Sequence, residues 1–284
     1  MEEVVSSISL SDQFQRLTTC IGIGLMMARA LALNGAHKIY IVGRRKEVLE
    51  DAAKSVSTNN IIPLIGDVTS KESMASVVNH IKSEIGYINL LIANSGVGGP
   101  QASKAITEST SIEEFAEIYG SPSFEEMSKT FEVNTVAVMI CVTAFLPLLD
   151  AGNKKGNLEQ KSQIIATSSI GGFNRKIPAG FVYGQSKAAT THLVKQMATQ
   201  LTQWNIRANA LAPGCEYFPY RSEFQDADFR KQCSPPSWQH PLSATANSQK
   251  TKYLWRELAR KKIWQAVSCS WLPELELMLQ VMLW

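Results

Sequence analysis

Between Gly22 and Gly214 short apolar runs alternate with longer amphipathic ones, and this alternation restricts the fold more than any other feature of the chain. "GIGLMMARALALNGA" has helical spacing from its glycines to Gly35, and "KIYIVG" reads as a short buried strand. "RRKEVLEDAAKSV" is an amphipathic helix, "NIIPLIGDV" a strand, and "SKESMASVVNHIKSEI" a helix capped by Ser70. "INLLIANSG" is a strand whose apolar run suits a sheet covered on both faces. Residues 97–121 form a long connection with a short helix, "IEEFAEIY", and "SFEEMSKTFEVNTVAVMICVTAFLPLL" predicts one long helix. "KSQIIATSS" is a strand, residues 180–203 a helix and "NIRANALAPG" a final strand. Such an order implies an α/β fold: a single-domain, doubly wound parallel sheet of the Rossmann type, with right-handed crossovers.

Two regions break the order. Residues 1–18 hold no strand directly abutting the glycine turn: "SDQFQR" is polar and unpatterned, and "SSISL", which can form a short strand, sits several residues too early. The first strand is therefore expected to be degraded or missing, with low stability and weak nucleotide binding as the consequence. At the other end, residues 215–284 contain none of the 17 glycines and five of the 6 tryptophans. The reading is a dinucleotide-binding and catalytic domain over 1–214, followed by an atypical C-terminal segment, 215–284, to which no fold is assigned.

Composition excludes several classes. A net charge of +3 is too weak to suggest nucleic acid or membrane as a partner. The 5 cysteines (Cys20, Cys141, Cys215, Cys233 and Cys269) lack CxxC spacing, which argues against a metal site or a disulfide framework and fits a reducing compartment. There is no basic-then-apolar leader, and "LELMLQVMLW" is too short to span a bilayer, so a cytoplasmic location is expected.

The chemistry concentrates in "SSIGG" at 168–172 and "YGQSK" at 183–187. Tyr183 and Lys187, four apart on a helix, share one face. An ammonium beside a phenol favours the phenolate, which makes tyrosine usable as an acid or base near neutrality. By itself the pair also suits a solvated helix face. Gly22 and the helix N-terminus that follows it present free backbone N–H groups to a phosphate. The strand "KIYIVG" ends without a carboxylate to hold a ribose 2′-hydroxyl, and Arg44 and Arg45 follow it. Two arginines can pair a 2′-phosphate, whereas as mere solvated residues they would oppose the helix dipole, so NADP(H) is favoured over NAD(H).

With "GIG" at 22–24, "GDV" at 66–68, "ANSG" at 93–96, "VNT" at 133–135 and "NALAPG" at 209–214, the order and spacing over residues 19–214 resemble the classical short-chain dehydrogenase/reductase family. The likeness is greatest to fungal members that act on carbonyl intermediates of secondary metabolism. The resemblance implies that Tyr183 is the general acid in reduction and that Lys187 tunes it and binds the nicotinamide ribose. Ser169, with Ser168 as the alternative, would polarise the carbonyl, and Asn134 would hold a water for proton relay. It also implies cofactor contacts from Gly22, Ile23, Gly24, Asp67, Asn94, Pro213 and Gly214. Taken alone, Asp67 reads equally as a turn former and Asn134 as a residue that caps or kinks a helix.

The chain departs from the family pattern at both ends. Leu17 and Thr18 stand where the family has threonine and glycine, and "CEYFPYRSEF" after Gly214 lacks the expected threonine. The implied function is an NADP(H)-dependent oxidoreductase interconverting a carbonyl and an alcohol on a small molecule, as a homodimer or homotetramer through helices 123–149 and 180–203. The alternative is a catalytically impaired, reductase-like pseudoenzyme or a non-productive gene product.

Overall fold

The computed structural model describes residues 3–9, 22–56, 59–175 and 180–214. These residues form β1 (Glu3–Ser9), α1 (Ile23–Leu33), β2 (Ala36–Gly43), α2 (Lys46–Lys54), β3 (Ile61–Ile65), α3 (Lys71–Glu84) and β4 (Leu90–Ala93). They continue through α4 (Ile112–Gly120), α5 (Phe124–Phe131), α6 (Ala137–Lys155), β5 (Gln163–Thr167), α7 (Phe181–Gln200) and β6 (Arg207–Leu211). The strands make one sheet in the order β3-β2-β1-β4-β5-β6, and every pair is parallel. A parallel sheet needs helical crossovers, and these cover both of its faces.

The pattern of β2 shows why. Tyr40 and Val42 pack with Met74, Val77, Ile81, Val138, Phe145 and Leu149 from α3 and α6, while Ile39 and Ile41 pack with Leu25, Ala28, Leu49 and Ala52 from α1 and α2. An unbroken apolar run is what a strand buried on two faces requires. Helix starts are set by side chains: Ser70 Oγ accepts from Ser73 N at 3.1 Å, and Ser123 and Glu126 form a reciprocal capping box at the start of α5.

The first strand is a correction. It is neither missing nor adjacent to the glycine turn: residues 3–9 fill the central slot, pairing with β2 on one side and β4 on the other. The physical reason is that β2 and β4 would otherwise leave two ladders of peptide groups without partners, and the early segment "EVVSSIS" supplies them. The strand is irregular, since its register shifts between Ser6 and Ile8 against both neighbours. That extra residue is a bulge, rare in parallel pairing. Leu17, Thr18 and Cys20 of the glycine turn, and the segment 215–284, lie outside the described residues.

The single long helix expected over residues 123–149 is also modified. Between α5 and α6 the backbone widens into one π-helical turn, Glu132–Val136, with Asn134 inside it. Phe124–Lys155 as a whole is long and apolar enough to cross a membrane by length and composition. Its buried residues Val138, Val142, Phe145 and Leu149 belong to the core beside the sheet, the usual place of such a helix in an α/β domain.

Candidate active site

The C-terminal ends of β4 and β5 and the first turns of α7 bring the sequence-selected residues together. After β5 the backbone turns through Ser168 and Ser169 into a short 3₁₀ turn, Ile170–Gly172, which lies against α7. A Cβ on Gly172 would stand 2.8 Å from Ala188 N and 2.9 Å from the Lys187 carbonyl carbon, so only glycine lets the turn approach that closely. Ser169 caps the turn, its Oγ accepting from Gly171 N at 3.1 Å, and its side chain hydrogen-bonds the Tyr183 phenol. Ser168 points the other way. It is 2 % exposed, and its hydroxyl donates to Lys187 O at 3.0 Å and meets Thr191 Oγ1 at 2.6 Å. Of the two serines, geometry puts Ser169 beside the tyrosine and Ser168 in the core.

Lys187 is buried beneath Tyr183, its Nζ 6.0 Å from the ring centroid and donating to Thr167 O at 2.8 Å. Thr167 in turn donates through Oγ1 to Asn94 Oδ1 at 2.9 Å, tying the end of β4 to that of β5. Burial pulls the lysine down from 10.5 to about 8. Burial also pushes the Tyr183 phenol above its usual value, and the Ser169 hydrogen bond offsets only part of the rise. This corrects the simple expectation of a phenol lowered by its lysine. The ammonium is aimed at the Thr167 carbonyl, and desolvation of the tyrosine outweighs what acts in the opposite direction.

Asn134 is fully buried and used on every side. Its Oδ1 accepts from Val97 N at 2.7 Å, and its Nδ2 donates to Val97 O and to Ser186 Oγ, both at 2.9 Å. Its backbone carbonyl accepts from Thr190 Oγ1 at 2.7 Å. The side chain grips the loop after β4. Sequence reading missed Ser186, although its place between Tyr183 and Lys187 in "YGQSK" was a usable signal.

Gly96 closes the cluster. A Cβ at this position would lie 3.1 Å from Lys187 Nζ and 3.2 Å from Asn134 Oδ1, both already held by hydrogen bonds. Gly96→Ala is therefore expected to lower the melting temperature by about 2–4 °C, because neither neighbour can give way without lengthening a buried hydrogen bond. Thermal melts of the two proteins check this.

The nucleotide end is more dispersed. Gly22 is the extended N-cap of α1, whose first turn has no acidic residue and no side-chain cap, and Ile23 and Gly24 open the helix. The Asp67 carboxylate accepts from Thr69 N at 2.9 Å and Thr69 Oγ1 at 2.7 Å, the turn-forming arrangement that an aspartate after a strand supplies. Burial raises its pKa, but those bonds, with the charges of Arg44 and Lys129, hold it below the usual range. Arg44 thus sits near Asp67 where β2 ends, and Arg45 caps α2. The carbonyl of Pro213 accepts from Ile170 N at 3.0 Å, fixing the chain end at Gly214 beside the serine turn. Among the described residues no His, Cys, Asp and Glu cluster fit for a metal is found.

The short chain dehydrogenase family model matches residues 18–226, well over half of the chain. The chain belongs to this family. Among curated relatives, a short-chain dehydrogenase/reductase of Diaporthe leptostromiformis, PhomF′, is 52% identical over 194 residues, which are 68% of this chain and 66% of the relative. VdtF of Byssochlamys spectabilis, another short-chain dehydrogenase/reductase, is 43% identical over 213 residues, covering 68% and 69%. The match to PhomF′ thus spans slightly less than two thirds of that relative's length. Of the solved structures, the RhlG/NADP active-site complex of Pseudomonas aeruginosa superposes with a TM-score of 0.62 at 21% identity, covering 80% of this chain and 81% of that one. A 3-ketoacyl-(acyl-carrier-protein) reductase of Brucella melitensis complexed with NADH gives 0.59 at 23%, covering 75% and 76%. At those identities the structures establish the shared Rossmann-type fold of this short-chain dehydrogenase.

Proposed function

We propose that this chain is an NADP(H)-dependent oxidoreductase that interconverts a carbonyl and an alcohol on a small molecule of secondary metabolism, in the cytoplasm. The observation that carries the reading is the hydrogen bond from Ser169 to Tyr183 with Lys187 buried one helical turn below. The alternative, a chain without catalysis, finds no support in the comparisons.

The residues present fit a nicotinamide cofactor. Lys187 is buried with only Thr167 O as a hydrogen-bond partner among the described residues, which leaves ammonium protons for ribose hydroxyls. The α1 N-terminus, open at Gly22, Ile23 and Gly24, suits a pyrophosphate, and Arg44 and Arg45 suit a 2′-phosphate. Asp67 and Asn94 at the ends of β3 and β4, with Pro213 and Gly214 after β6, would complete the cradle. When bound, NADPH supplies a hydride to the carbonyl carbon, and NADP⁺ accepts one in the reverse direction.

In reduction, Ser169 and Tyr183 donate to the carbonyl oxygen and stabilise its growing negative charge. Tyr183 then gives up its proton to that oxygen. A phenol pushed up by burial stays protonated at neutral pH, as an acid must. The Lys187 ammonium favours the phenolate left behind. Asn134 serves by holding the Val97 backbone, and assembly through helices 123–149 and 180–203 as a homodimer or homotetramer is part of the same reading, supported by the half-exposed Val136 and Met139 in the first of them.

Following NADPH oxidation over a panel of ketones and aldehydes tests the activity. Replacing Arg44 and Arg45 together by alanine is expected to weaken NADPH by about 1–3 kcal/mol, the range for charge-assisted hydrogen bonds, and NADH much less. Calorimetric titration of both nucleotides measures the difference. Equal weakening would show that the arginines only attract anions.

A further inference from the structure

The Asn134 side chain clamps both polar groups of the Val97 peptide, and its second amide proton goes to Ser186 Oγ at 2.9 Å. The Ser186 hydroxyl donates in turn to the carbonyl of Tyr183 at 2.8 Å. The Ser186 carbonyl accepts from Thr135 Oγ1 at 3.0 Å and the Asn134 carbonyl from Thr190 Oγ1 at 2.7 Å, so the π-helical turn is tied to α7 at two further points. Ser186 is fully buried and lies between Tyr183 and Lys187 in sequence, yet it points away from the reacting groups, toward Asn134. The segment it reaches through Asn134 carries Gly96, whose missing Cβ makes room for the Lys187 ammonium.

We infer that Ser186 is a positioning residue, the pin that locks the loop after β4 against the turn of α7 bearing Tyr183. The inference rests on the oxidoreductase reading for its catalytic consequence, but the pin itself can be observed without turnover. Hydrogen bonds inside a closed, fully buried network are costly to leave half satisfied. Removing the hydroxyl strands one amide proton of Asn134, and the Val97 peptide loses the support that fixes its clamp. The first turn of α7 loses its tie to Asn134, and with it the alignment that keeps the phenol on Ser169. That hydrogen bond acts against the upward pull of burial on Tyr183, so loosening it moves the phenol further up.

The test compares wild-type protein with Ser186→Ala and Ser186→Cys, the latter keeping volume and a weak donor. Amide hydrogen exchange on the cofactor-free protein is read at Val97, with amides of β5 and α6 as the reference. Expected for Ser186→Ala is at least a tenfold faster exchange at Val97 against unchanged reference amides, with Ser186→Cys in between. In turnover, kcat should fall about tenfold at unchanged NADPH affinity, a displacement cost of the kind seen when reacting groups shift slightly. The pH profile of alcohol oxidation, where Tyr183 acts as base, should move to higher pH. Exchange that rises uniformly with the reference amides, or a kcat loss with an unmoved pH profile, overturns the inference, since a merely structural serine gives that result. If Ser186→Ala does not fold, the same readings on Ser186→Cys decide the question. Locally faster Val97 exchange in a wild-type-like fold that reduces no ketone would overturn the oxidoreductase reading and leave the pin standing.

Discussion

Tyr183→Phe is expected to reduce turnover by about 10²–10⁴-fold, the usual contribution of a positioned general acid, while NADPH affinity stays nearly unchanged. The phenylalanine keeps the ring that Gly171 backs onto and removes only the hydroxyl that Ser169 contacts. Lys187→Met should lose both turnover and nucleotide affinity, because in the proposed function the ammonium serves the ribose as well as the phenol. It should also raise stability. Free lysine titrates at 10.5, and Lys187 in the fold at about 8, so between those values the unfolded chain binds more protons than the folded one. Wild-type stability therefore rises with pH across that window, and below about 8 the folded state carries its buried ammonium at full cost. Methionine removes that cost, and a gain of about 1–3 kcal/mol at neutral pH, with a flatter pH dependence above it, is expected in thermal or urea melts. Wild-type NADPH affinity should fall as pH rises past about 8, where the ammonium is lost. Substantial turnover remaining in Tyr183→Phe, on any substrate the wild type reduces, would remove the tyrosine from its assigned role.

The second large effect concerns β1. Val5 pairs with Ile39 of β2 and Leu90 of β4, so its peptide lies in the middle of the sheet. Val5→Pro deletes an amide donor from a central strand, where proline is essentially not found, and should cost about 3 kcal/mol or more. Deleting residues 3–9 exposes one ladder of β2 and one of β4 at once. Domains hold together by only about 5–15 kcal/mol, so the truncated chain is expected to lose its cooperative melt and to aggregate. Circular dichroism melts and size-exclusion chromatography of the two variants check this. A truncated chain that melts like the full one would mean that residues 3–9 do not hold the central position.

These two cases mark what the sequence disclosed and what it concealed. Apolar period and caps are local properties, so Ser70 and the run "KIYIVG" announced their elements directly. The slot taken by "EVVSSIS" is a long-range property. It depends on two strands needing a neighbour, and a strand separated from its usual glycine turn gives no local sign of that need. At the site, helical spacing was enough to put Tyr183 and Lys187 together, and the choice between Ser168 and Ser169 needed the direction each side chain takes. The phenol's rise came from burial, which a motif does not encode. Asn134 was found by its place in "VNT", yet its grip on Val97 and Ser186 depends on a helix that changes pitch around it.

That change of pitch has a genetic side. A π-helical turn is equivalent to an α-helix carrying one inserted residue, so an in-frame loss of one codon among residues 132–136 could restore the ordinary hydrogen-bond ladder. The lineage bearing such a deletion would gain a more regular helix and lose the inward aim of Asn134. Selection for folding alone would favour it, and only selection for what the site does would purge it.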